Sequence, residues 1–136
     1  MKTAVVTGAA GGLGRPIVAA LAADGWTVAG FDRVTTIGAA ESYALDVADE
    51  GAMQHAVAAV LERHGRIDGL VCAAGIVREA PVAEMSRADW NAAIDASLTG
   101  TFLALRAVLP GMLAAGSGSI VAFSSGYGTS GYRNGA

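Results

Sequence analysis

The sequence predicts an α/β domain built on a doubly wound parallel sheet, and three observations carry that expectation. Short apolar runs alternate with longer stretches of helical periodicity along the chain. The runs are rich in Val, Ala and Gly, as strands covered on both faces should be. A glycine-rich turn joins the first run to the first helix. Strands separated by helices of this length require crossover connections and parallel pairing. At 136 residues the chain suffices for one domain with a real core, so residues 1–136 are read as a single dinucleotide-binding unit of Rossmann type.

Each element follows in order. Thr3–Thr7 (TAVVT) is the first strand, and a helix over Leu13–Asp24 carries Pro16 in its first turn, where a missing N–H costs nothing. Trp26–Phe31 (WTVAGF) and Ser42–Asp46 (SYALD) are the next strands, and Asp49 opens a helix that runs to His64. Gly69–Ala74 (GLVCAA) is the fourth strand. A long helical stretch from Ser86 to Leu113 starts on a weak capping box, Ser86 with Asp89 three residues on, and breaks near Leu98. Pro110 should end or kink it before Gly111. Gly116–Gly118 is a joint ahead of the last strand, Ser119–Ser125 (SIVAFSS).

Composition removes several function classes. With 53% hydrophobic and 15% charged residues and a net charge of -3, the chain is neither a disordered acidic tail nor a basic binder of nucleic acid. Its one cysteine, Cys72, excludes an internal disulfide and fits a reducing, cytoplasmic setting. Neither Cys72 nor the pair His55 and His64 has zinc-ligand spacing, so no metal is expected. No uninterrupted apolar run approaches the roughly 18 residues of a membrane span, and no membrane partner is expected.

The first strand leads into Thr7-Gly8-Ala9-Ala10-Gly11-Gly12-Leu13-Gly14. Gly8, Gly12 and Gly14 let the chain turn sharply, let a pyrophosphate approach the amides of residues such as Leu13, and let helix pack on strand. The helix N-terminus adds unpaired N–H groups and a positive dipole end for the anion. Asp32 ends the second strand 18 residues after Gly14, close to the ~20 expected of the acid that binds the adenosine ribose. A carboxylate there repels a 2'-phosphate by up to about 4 kcal/mol at ~4 Å in an intermediate dielectric, which favours NAD over NADP. Arg33 and Arg15 argue the other way, since either can reach such a phosphate; the plainer reading is a solvated or adenine-stacking arginine.

Taken with the later segments, these residues resemble the short-chain dehydrogenase/reductase family, whose pattern TGxxxGxG places its glycines at Gly8, Gly12 and Gly14. The resemblance covers essentially the whole chain. It implies that Asp46-Val47 follows the third strand with the acid on the adenine amino group. It also implies that Ala73, Ala74 and Gly75 flank the cofactor, although Cys72 and Ala73 stand where the family has two asparagines. Cys72 reads as a buried filler with no activating base nearby. Ser97 stands where the family carries a catalytic asparagine; it either holds a structural water or marks the helix kink, and the kink is preferred. SIVAFSSGYGTSG aligns the catalytic serine with Ser125, which would hydrogen-bond the oxygen of an alcohol or carbonyl substrate.

The family's catalytic tyrosine and lysine would fall after Ala136. Tyr127 and Tyr132 come too early, and Lys2 is the only lysine. That pair supplies the proton exchange near neutral pH, so the 136 residues alone are expected to be inactive. The last strand would also stand as an uncovered sheet edge. The expectation is therefore the N-terminal part of a longer chain, a fold incomplete at its C-terminal side, with a homodimer or homotetramer formed by the complete protein through the helix over Thr99–Leu113. Three readings stand: an NAD-dependent oxidoreductase for alcohols and ketones, preferred; a non-catalytic dinucleotide-binding module; and an S-adenosylmethionine methyltransferase, whose glycines usually lie closer together.

Overall fold

The computed structural model describes residues 1–135. Five strands, β1 (Thr3–Thr7), β2 (Thr27–Asp32), β3 (Glu41–Ala44), β4 (Gly69–Cys72) and β5 (Ser119–Ala122), form one sheet in the order β3-β2-β1-β4-β5. Every neighbouring pair is parallel. β1 thus lies between β2 and β4, and the chain winds outward in both directions from it, which opens a crevice at the C-terminal strand ends. The expected doubly wound sheet is the observed one.

Alternation along β1 assigns its faces. Val5 faces α2 (Glu50–His64) and α4 (Gly100–Ala115), where Phe31, Leu70, Met53, Val57, Val60, Leu103 and Val108 close the larger core. Val6 faces α1 (Gly14–Ala23), where Val18 and Val28 are buried and Leu21, Trp26 and Val71 pack partly against them. Phe31 is fully buried and meets Tyr43 edge to face at 5.3 Å between ring centres, a contribution of roughly 2–3 kcal/mol from burial.

Helix starts obey local chemistry. Asp49 accepts the Ala52 N–H at 3.0 Å, and Ser86 accepts that of Asp89 at 3.0 Å at the head of α3 (Arg87–Ile94). α2 and α4 end on Gly65 and Gly116, both in the left-handed region. The break expected near Leu98 is a π-helical turn over Asp95–Thr99 between α3 and α4. Pro110, by contrast, neither ends the helix nor stops it before Gly111: α4 runs on to Ala115. Both Pro110 and Arg106, whose carbonyl loses its N–H partner, are on the exposed face, where that oxygen is open to solvent.

Arg87–Ala115 is continuous helix of 29 residues and passes for a membrane span by length and composition, which a count of uninterrupted apolar runs did not foresee. Its inward face, Gly100, Leu103, Ala104, Val108 and Met112, is buried in the domain core. β5 is an edge strand, and all four of its residues are exposed.

Candidate functional site

A cleft of about 910 Å³ lies at the C-terminal ends of β1, β2 and β4. The glycine loop forms one wall, and each of its three patterned glycines meets a different demand. Gly8 has φ +63°, and a Cβ there would lie 2.6 Å from the Ala74 backbone. At Gly14 a Cβ would come within 2.0 Å of the Gly8 carbonyl oxygen, so loop and helix close on each other only because it is absent. Gly12 differs: a Cβ there would meet nothing within 4 Å. Its space opens on the cleft that Gly8, Gly11, Gly12 and Leu13 line. The fold therefore requires Gly8 and Gly14 to lack a Cβ, whereas it places no such demand on Gly12, which lines the cleft.

Asp32 stands on the cleft at the end of β2, as expected, and one of its oxygens accepts the Ala10 N–H at 3.0 Å. This bond ties the loop to β2, while Ala9 N–H donates to the Phe31 carbonyl at 3.3 Å. Arg33 also lines the cleft, but its guanidinium is paired with Asp46. Asp46 holds the turn before α2 by accepting the Ala48 N–H at 3.0 Å. That N–H, with the Arg33 charge, outweighs burial and keeps the Asp46 carboxyl below the usual carboxylate range. Arg15 points its Nε to the Ala10 carbonyl at 2.7 Å and is absent from the cleft lining.

Val47 is buried beneath Asp46, and a Cβ on Gly100 would strike it at 2.5 Å, so α4 begins flush against this wall. Across the cleft, Ala73, Ala74 and Gly75 leave β4, held by the Thr7 hydroxyl accepting the Ala74 N–H at 3.3 Å. Cys72 is buried and its thiol is pushed up to about 11, which suits a filler and no nucleophile. Ser97 belongs to the π-helical turn, and its hydroxyl would lie 3.3 Å from a Cβ on Gly75. The residue is therefore part of the kink and a neighbour of the cleft rim at once.

Ser125 is not among the residues lining the cleft. It is exposed after β5 and accepts the Tyr127 N–H at 3.2 Å, capping a short 3-10 turn over Gly126–Gly128. Tyr127 in turn donates to Glu79 at 2.7 Å, which anchors the segment to the loop after β4. Sequence reasoning missed the α3 wall, where Ala88, Asn91 and Asp95 face the cleft. Their spacing of three and four residues puts them on one helix face, which was the available signal. Among the described residues no His, Cys, Asp or Glu cluster could hold a metal ion.

A family model described as short chain dehydrogenase matches residues 2–136. The chain belongs to the short-chain dehydrogenase family. A D-threitol dehydrogenase of Mycolicibacterium smegmatis is 41% identical over an alignment that takes in 91% of this chain and 52% of that protein. A 2-dehydro-3-deoxy-L-rhamnonate dehydrogenase (NAD(+)) of a Sphingomonas species is 36% identical over 98% of this chain and 57% of its own length. The solved structure of a short-chain dehydrogenase from Streptomyces avermitilis superposes with a TM-score of 0.90 at 34% identity, covering 98% of this chain and 52% of that one. The chain thus spans about half the length of the short-chain dehydrogenases it matches.

Proposed function

We propose that the chain is the cofactor-binding part of an oxidoreductase that moves hydride between NAD(H) and a small alcohol or ketone. The observation that carries this reading is the loop from Gly8 to Gly14, which closes on Ala74 and on itself only without Cβ atoms at Gly8 and Gly14 and lines the cleft beside Asp32. The donor and acceptor set fits a dinucleotide: loop N–H groups of Gly12, Leu13 and Gly14 for the pyrophosphate, and for the ribose hydroxyls the second Asp32 oxygen, which accepts only a long contact from the Val34 N–H at 3.4 Å. On this reading Asp46 and Val47 serve the adenine, and Ala73, Ala74 and Gly75, which line the same cleft, serve the inner ribose and ring. The bound cofactor supplies the hydride acceptor or donor. Ser125 orients the substrate oxygen when its hydroxyl turns from the Tyr127 N–H to the cleft.

The NAD preference is supported by Asp32, by the engagement of Arg33 and Arg15 elsewhere, and by the NAD(+) named in the Sphingomonas relative. Fluorescence titration of the intact natural chain with NADH and NADPH tests it. Tighter NADH binding is expected, and Asp32→Ser should narrow the gap by about tenfold. Equal affinities in the wild type would overturn the preference. A second reading, a binding module without turnover, is favoured by Ser125 capping its own turn. NADH binding without oxidation across a panel of aldehydes and ketones would establish it.

The outer face of the long helix leaves Leu98, Phe102 and Leu113 more than half exposed. A second copy of the chain is the proposed cover in the intact protein, giving a dimer or tetramer measurable by sedimentation. The free, buried Cys72 supports a reducing, cytoplasmic setting.

A further inference from the structure

The strand that ends in Asp32 continues directly into Arg33, the residue best placed in sequence to answer a phosphate on the adenosine 2' oxygen. In the structure its guanidinium is paired with Asp46, and both residues line the cleft. We propose that Asp46 is a specificity-determining residue, which keeps Arg33 engaged and so withholds it from a 2'-phosphate. The inference rests on the dinucleotide reading of the cleft.

Asp46 is built to hold this partner. One carboxylate oxygen is committed to the Ala48 N–H in the turn before α2, which fixes the side chain and leaves the other oxygen for Arg33. The other cations nearby are also engaged: Arg15 on the Ala10 carbonyl, and Arg78 on Asp89 at 3.2 Å and on the Val77 carbonyl. Around Arg33 the rim thus holds two carboxylates, Asp32 and Asp46, against one guanidinium. An incoming phosphate dianion meets the unbalanced charge of Asp32 and must also draw Arg33 off Asp46. Removing the Asp46 charge leaves a guanidinium whose planar fork suits phosphate oxygens. The Asp46 carboxyl lies below the usual range, so the pair persists through neutral pH.

The pair is largely exposed, with side-chain exposures of 74% and 42%, so its loss costs the fold little. Asp46→Asn keeps an oxygen for the Ala48 N–H. Should that variant fail to fold, Asp46→Ser offers a hydroxyl for the same bond and the same readout. The quantity to follow is the ratio of NADPH to NADH affinity in the intact natural chain at low ionic strength. Both dinucleotides carry the same adenine, so weaker adenine binding in an Asp46 variant cancels in that ratio. Asp46→Asn should raise this ratio about five- to tenfold, and Arg33→Ala/Asp46→Asn should return it to within about twofold of the wild type. An unchanged ratio in Asp46→Asn, or a rise that survives loss of Arg33, overturns the role of Asp46 while NADH binding by the wild type leaves the dinucleotide reading standing. Failure of the wild type to bind either dinucleotide overturns both.

Discussion

The two ends of the cleft are held in different ways. At the phosphate end every wall is braced from behind: Gly14 is buried against Gly8, Asp32 bonds the loop through Ala10, and Val47 is wedged on Gly100. At the Ser125 end the serine follows an exposed edge strand paired to β4 only as far as Ala122 and bonds within its own turn; its segment is tied to the loop after β4 by Tyr127 on Glu79 and by the Ala80 N–H on the Asn134 carbonyl. The contrast shows where each half draws its geometry. The phosphate end is shaped by backbone contacts within β1, α1 and β2, which leave little freedom. The Ser125 end is positioned by the β4–β5 pairing that stops at Ala122, by one backbone hydrogen bond to Ala80 and by the exposed Tyr127.

That contrast breaks most readily at Gly14. Gly14→Ala forces a Cβ into the Gly8 carbonyl, and a loss of roughly 3 kcal/mol or more is expected in denaturant unfolding. A loss under about 1 kcal/mol would show that the loop is as yielding as the Ser125 turn. Ser125→Ala should do the opposite, leaving stability within about 0.5 kcal/mol while kcat of the intact natural chain falls about 100-fold; unaltered kcat would remove Ser125 from the chemistry. Gly12→Ala sharpens the comparison inside the loop itself. With open space around it, stability should hold within about 0.5 kcal/mol while NADH affinity falls about tenfold, a split that calorimetry resolves.

The smallest effect is acid sensitivity. Burial opposes the charge of Asp68 beneath β1, but the Thr3 N–H, Arg66 and Lys2 outweigh it and hold the carboxyl below 3.8. Asp46 and Glu41 are lowered as well; for Glu41, burial is outweighed by Tyr43, His64 and Arg63. Because folded values lie below unfolded ones, the stability from these groups is complete above about pH 5 and drains as pH falls through the lowered values. Asp68→Asn should lower stability at neutral pH by about 1 kcal/mol and flatten its decline between about pH 5 and pH 2. The Tyr127 phenol at the Ser125 end is raised by its bond to Glu79 and so bears on alkaline pH instead.

The same division governed what the sequence could tell. β1, the glycine loop and Asp32 were legible because backbone sterics and a fixed spacing leave one solution for them. Strand bounds came within three residues at every end, the last strand being overestimated because Phe123–Ser125 continue its pattern beyond its pairing. Of the two outcomes expected at Pro110, the helix end is overturned, since α4 runs on to Ala115. The partnership of Arg33 with Asp46 and the wall from α3 stayed hidden, since both depend on how separate elements meet. Ser125 was legible as a motif member, yet its present partner, the Tyr127 N–H, followed from no pattern.

The π-helical turn over Asp95–Thr99 acts as a phase offset between the two helices it joins. Each residue of an α-helix advances about 100° around the axis, so one residue more or fewer re-aims everything on the far side. With the offset in place, α4 can aim Leu103 and Val108 at the core while α3 aims Ala88 and Asn91 at the cleft. Deleting one residue of the turn would restore ordinary helical pitch and force a choice: either the core keeps its side chains and the cleft loses its third wall, or the reverse. Those five residues set the phase between α3 and α4, while Asp95 and Ala96 among them also line the cleft.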